Sequence, residues 1–200
     1  MLILGISTSA KRPSAAVMRD GEIISFVCDD SGRSHSRTLM ELIDRAISEA
    51  GADKSEIGAI AVDVGPGSFT GVRIGVSCAN AMAYALGVGV IPVCSLAAMR
   101  NLAPEGETVA SLIDCRNGNC YAAFYGDGGE DSIEPSAAVT DEFVSKLPEN
   151  AFIVGDCLGH LDQPDARLVL IEAQKSGAEP VSYAAPMYLR PSQAERMKKA

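Results

Sequence analysis

The chain has 200 residues, 47% of them hydrophobic and 22% charged, with a formal net charge of −9. That length holds one domain or two small lobes, and the composition is that of a globular protein rather than a disordered one. The acidic balance argues against a free-standing nucleic-acid binder, which needs a basic surface to meet phosphates.

In chain order, Leu2–Ser7 reads as a buried strand. Ser14–Arg19, the turn Asp20-Gly21 and Glu22–Cys28 read as a hairpin, because Asp-Gly supplies the positive φ angles of a type I′ turn. A helix capped by Ser34 or Ser36 is expected to run to Ala50, with Leu39, Ile43, Ala46, Ile47 and Ala50 on one stripe and Gly51 as its stop. Ala59–Val64 is a short apolar strand ending in Gly65-Pro66-Gly67. A second helix is expected from about Ser68 to Leu86, then a strand at Val90–Cys94 and a short helix from Ser95 to Asn101. After a loop the pattern restarts: a strand pair at 108–114 and 119–126, a short helix at 140–147 halted by Pro148, and a strand at 151–155. This predicts an α/β protein in which the order β-β-β-α-β-α occurs twice, as in actin-like (ribonuclease-H-like) folds. The expected division is 1–102 for the first lobe and 103–200 for a shortened second lobe with a Pro-rich tail.

No stretch reaches the 18 or more apolar residues that cross a bilayer. Met1-Leu-Ile-Leu-Gly lacks the basic start of a secretory leader. Six cysteines show no CxxC pair and no matching His spacing, so they read as reduced core residues of a cytoplasmic protein, and no zinc site is expected. The span from Asp127 to Glu172 holds eleven acidic residues against two basic ones and reads as a solvated acidic face.

The most informative stretch is Gly65-Pro-Gly-Ser-Phe-Thr-Gly-Val-Arg-Ile-Gly75. It lacks the Gly-Lys-Ser/Thr of a Walker loop and the spacing of a dinucleotide fingerprint. Gly71, Gly75, Ala79 and Ala83 recur every fourth residue, so they draw a narrow groove along the helix, flanked by Ile74, Cys78 and Met82. Glycines inside a helix cost roughly 1 kcal/mol each relative to alanine, and close helix packing is the natural compensation. That packing is either within the chain or against another one. Arg73, one turn into the helix, reads as a surface ion-pair residue or a polar contact at a subunit boundary.

This eleven-residue segment resembles the signature of the bacterial TsaB (YeaZ) family. Ile3–Ser9, His35-Ser36, Ser95-Leu96, the stretch from Asp114 to Tyr121 and Tyr188-Leu-Arg190 are similar to further motifs of that family. The resemblance covers most of residues 2–125 and the tail. It implies an actin-like fold without catalysis of its own, serving as the partner of the threonylcarbamoyl transferase TsaD. With the ATPase TsaE, that pair supports formation of N6-threonylcarbamoyladenosine at position 37 of tRNAs reading codons that begin with A. It also implies that the first two helices form the partner interface and a homodimer interface when the chain is alone. Carried over residue by residue, the partner-binding set is Ser36, Leu39, Met40 and Ile43 on the first helix. On the second it is Ser68, Phe69, Thr70, Gly71, Arg73, Ile74, Gly75, Cys78, Ala79 and Met82. No cofactor of its own is implied; ATP or ADP belongs at the partner boundary, and tRNA is met through the complex.

Two enzymatic alternatives are weighed against this. An actin-like ATPase or kinase needs an acidic residue at the first strand turn, and Ser7 stands there, leaving Asp114 as a lone second-lobe acid. A glycoprotease-like metal site needs a helical His pair, and His35 and His160 are far apart. Ser68 and Ser77 lack a GxSxG elbow, so Ser68 is better read as a helix cap. Arg196, Lys198 and Lys199 form a basic tip.

Overall fold

In a computed structural model, residues 1–126 and 132–190 are described; Arg196, Lys198 and Lys199 of the basic tip lie outside them. The strands are β1 (Leu2–Ser7), β2 (Ser14–Arg19), β3 (Glu22–Cys28), β4 (Ile57–Gly65), β5 (Gly89–Cys94), β6 (Val109–Asp114), β7 (Asn119–Tyr125), β8 (Ile133–Val139) and β9 (Phe152–Gly155). The helices are α1 (His35–Glu49), α2 (Phe69–Leu86), α3 (Ser95–Met99), α4 (Thr140–Val144) and α5 (Ala166–Ser176). The first hairpin turns on Asp20 and Gly21, both at positive φ, as the Asp-Gly pair dictates.

Two mixed sheets repeat one topology. The first runs β3-β2-β1-β4-β5 and the second β8-β7-β6-β9. In each, the first strand pairs antiparallel with the second and parallel with the fourth. This is the duplicated actin-like arrangement, with the second copy one strand shorter.

The first sheet is buried on both faces, and its strands are accordingly apolar at consecutive positions. Leu4, Ile6, Ile60 and Val62 meet Leu39, Ile43, Val72 and Val76 of α1 and α2 on one face. On the other face Met18, Ala61, Ile91 and Val93 pack with Val169, Leu170 and Ala173 of α5. Gly5 makes room for that helix, because a Cβ there would sit 2.6 Å from Leu170 Cγ and 2.7 Å from the Ala166 carbonyl oxygen. Each fully buried aliphatic side chain contributes about 1.5–3 kcal/mol. Between the lobes, Leu96 and Met99 of α3 meet Val109, Ile113, Ala123 and Val154.

Two elements were not expected. β8 contains Pro135 and small residues, which weaken a strand signal; it survives as an edge strand paired on one side by β7. α5 falls in the expected tail, yet it starts on Asp165, whose carboxylate accepts from the Arg167 and Leu168 amides, and ends at Gly177 in the left-handed region. It returns to the first sheet although it follows the second in sequence. The helix expected at 140–147 ends at Val144. Among the described residues no helix is long and apolar enough to cross a membrane.

Candidate docking site

The start of α2 is fixed by a buried polar knot. Asp63, near the end of β4, is fully buried. One carboxylate oxygen accepts the Gly65 amide at 2.9 Å and the Ser95 hydroxyl; the other accepts Ser7 Oγ at 2.8 Å and the Ser9 hydroxyl. Burial pushes this carboxyl above the usual carboxylate range, while the four donors pull it down. The Ser9 carbonyl then accepts the Ser68 amide at 2.7 Å, and Ser68 Oγ caps the helix by accepting the Gly71 amide at 3.2 Å. Thr8 Oγ1 donates to the Gly71 carbonyl at 2.7 Å. Ser7, at the position where an ATPase would carry its acid, is thus a donor to Asp63.

The glycines follow from this closeness. A Cβ on Gly71 would lie 2.0 Å from the Thr8 carbonyl oxygen, and one on Gly75 2.3 Å from Thr8 Oγ1. Gly71, Gly75 and Ala79 are buried inside the chain, so the small-residue groove packs intramolecularly. Leu39 and Ile43 are core residues at 2% and 0% exposure. These five, expected among the partner contacts, are therefore packing residues: their stripe faces the sheet, leaving no side chain for a second chain to touch.

What α1 and α2 leave on the surface is different. Met40 is 46% exposed. The Cys78 sulfur lies 3.6 Å from the Met40 sulfur and 4.0 Å from that of Met82, with Ile74 half-buried one turn away. Burial pushes the Cys78 thiol up, so it acts as an apolar group. The result is a soft, sulfur-rich seam between two helices, the kind of surface that adapts to a partner. Ser36 in the first turn of α1 is exposed, as are Ser68 and Thr70 at the start of α2, where both line the cleft between the lobes, and Tyr84, 91% exposed, stands near the C-terminal end of α2.

Arg73 makes no ion pair among the described residues. Its guanidinium stacks 3.9 Å over the Phe69 ring, and its Nε donates to the Tyr188 hydroxyl at 2.7 Å. The sequence signal for Tyr188 was its motif alone; nothing in the spacing placed it beside Arg73. Asp63, missed as a functional residue, was visible as the one acid in the apolar run of β4.

Below the α2 start, a cleft of about 880 Å³ separates the lobes. Asp114 and Asp156 stand on its second-lobe wall, where the Asp114 amide donates to Asp156 Oδ1 at 2.7 Å. Burial raises the Asp156 carboxyl, while the Asp114 amide pulls it down and the Asp114 charge pushes it up by less. His35 Nε2 sits 3.2 Å from the Lys11 carbonyl oxygen at the rim. His160 lies in the loop after β9, its amide bonded to the Cys157 carbonyl.

Fold and surface together define a duplicated actin-like protein whose first lobe presents two adjoining helices to solvent. The family model for TsaD, tRNA N6-adenosine threonylcarbamoyltransferase, matches residues 26–152, and the chain belongs to that family, in its TsaB/YeaZ branch. The tRNA threonylcarbamoyladenosine biosynthesis protein TsaB of Haemophilus influenzae is 32% identical over 124 residues, which are 60% of this chain and 52% of that protein. A tRNA N6-adenosine threonylcarbamoyltransferase of Chlorobium limicola is 39% identical over 107 residues, 46% of this chain and 30% of the enzyme. The chain thus matches about half the length of that TsaB relative or less of the transferase. A solved Pseudomonas aeruginosa structure, described as an uncharacterized protein with similarity to peptidase YEAZ, aligns at a TM-score of 0.78 and 26% identity, covering 94% of this chain and 99% of that one.

Proposed function

We propose that this chain is a partner subunit, without catalysis of its own, of a TsaD-type threonylcarbamoyl transferase, and that it docks through the α1–α2 seam. The single observation that carries this is the seam of exposed Met40 with half-buried Cys78 and Met82, on helices whose inner faces are locked to the sheet. A rigid scaffold carrying an adaptable apolar stripe suits association with a partner more than a reaction. The spent donors around Asp63 support the non-catalytic part of the reading, because Ser7, Ser9 and Ser95 already serve that carboxylate. The names of the TsaB and TsaD relatives support the pathway, threonylcarbamoyladenosine formation in tRNA; position 37 of tRNAs reading codons that begin with A is the proposed target.

In this reading the seam also supports a homodimer when the transferase is absent. The TsaE-type ATPase joins the heterodimer, ATP or ADP sits at the partner boundary, and tRNA is met through the complex. The test is light scattering during gel filtration, with the chain alone and mixed with the TsaD-type transferase of the same organism. A stable hetero-complex is the expected result. No association, with or without ATP, overturns the proposal.

A further inference from the structure

The last described segment, residues 178–190, threads along the first lobe and finishes on the second. Val181 and Val90 exchange two backbone hydrogen bonds, both 2.8 Å, extending the first sheet beyond β5. Asn80 of α2 clamps Ala184 with its amide group, donating to the carbonyl and accepting from the N–H at 2.9 Å each. The Met187 amide donates to the Val64 carbonyl at 2.7 Å. The segment then crosses the mouth of the cleft. Tyr188 accepts from Arg73 and lies 4.7 Å, ring to ring, from Phe69. Two residues on, Arg190 donates to Asn119 Oδ1 at 2.7 Å, at the start of β7, and reaches the sulfur of Cys115 at 3.4 Å, in the β6–β7 turn of the second lobe.

We infer that this segment is a strap in which Tyr188 and Arg190 are positioning residues, tying the first turn of α2 to the second lobe. Arg73 is a long, exposed side chain that samples many rotamers unless its partners hold it. The Phe69 face and the Tyr188 hydroxyl hold it in one pose. Tyr188 is held in turn from both sides, at Met187 by β4 and at Arg190 by the β6–β7 turn. A shift of the second lobe therefore moves the aromatic pair and Arg73 on the first turns of α2, the helix that also carries Cys78 and Met82 of the docking seam. The consequence for association rests on the docking reading above; the mechanical link does not.

The experiment uses the full chain with two variants, Arg190→Ala and Tyr188→Phe. Hydrogen exchange is followed at the amides of residues 69–74, beside the thermal midpoint and the affinity for the transferase. Arg190→Ala is expected to speed exchange there at least fivefold, with the α1 amides unchanged and the thermal midpoint within a few degrees. It is also expected to weaken the hetero-complex about tenfold. Tyr188→Phe, which keeps the ring and deletes the hydroxyl, is expected to show the same pattern more weakly. Unchanged exchange at 69–74 in both variants overturns the strap. Failure of the wild type to bind the transferase, with exchange altered as expected, overturns the docking reading and leaves the strap standing.

Discussion

At the scale of single residues, the close approach of α2 to Thr8 makes sharp demands. Gly75→Ala gains helix propensity of about 1 kcal/mol but puts a methyl group 2.3 Å from Thr8 Oγ1. Overpacking of this kind costs about 1–3 kcal/mol, so the net change is expected to be destabilising in urea titration. Gly71→Ala meets backbone rather than a rotatable hydroxyl and is expected to lose more. Both substitutions act through folding, and folded mutant protein is expected to keep its seam.

Asp63 offers a second residue-scale test. Asp63→Ala strands the hydroxyls of Ser7, Ser9 and Ser95 in a dry site, and a loss of about 2–4 kcal/mol is expected. Asp63→Asn keeps an acceptor and is expected to lose less. Because burial raises the folded-state carboxyl above its unfolded value, the folded state holds the proton more tightly. Its contribution is complete below the unfolded value, near pH 4, and is lost as pH rises through the folded value. Denaturant midpoints measured from pH 4 upward are therefore expected to fall in the wild type relative to Asp63→Asn. Parallel curves would contradict the assignment. The acid itself was visible in the sequence as a polar interruption of an apolar strand, but its four donors come from three separated segments, and no spacing rule joins them.

At the scale of elements, the first six strands and helices were legible because each carried its own punctuation. Asp20-Gly21 fixed the hairpin, and Ser68 and Gly87 bracketed α2. β8 was hidden by Pro135, and α5 by its setting in a tail whose destination is a sheet far away in sequence. The expected partner set divides between core and surface for a related reason. Periodicity identifies a stripe of small or apolar residues, but the stripe is the same whether a sheet or another chain covers it. Leu39, Ile43, Gly71, Gly75 and Ala79 proved to face the sheet, while Met40, Ile74, Cys78 and Met82, flanking the stripe, remain at the surface. α5 supplies a further test. Glu172 is 6% exposed and pairs with Arg100, with two bonds of 3.1 and 2.9 Å, and with the Asn101 amide at 2.9 Å. Glu172→Ala leaves a half-buried guanidinium unpaired and is expected to lower stability by about 1–3 kcal/mol, read by thermal or urea unfolding.

At the scale of the whole molecule, the fold separates two surfaces by origin. The cleft between the lobes mixes polar and apolar groups from β6, β7, α2 and the connecting loops, whereas the seam is apolar and built on two helices anchored in the largest core. The net charge of −9 places any tRNA recognition on the partners in this account, consistent with a subunit that holds another protein. In the proposed complex the transferase docks on the Met40–Cys78–Met82 seam. Met40→Asp tests it most directly, because Met40 lies at the surface and a charge there leaves the core intact while burying an unpaired carboxylate in any complex. Wild type and variant are compared by light scattering and by titration against the transferase. An unchanged thermal midpoint and an affinity weakened at least a hundredfold are expected; a folded Met40→Asp chain that binds the transferase as tightly as wild type would place the docking surface elsewhere.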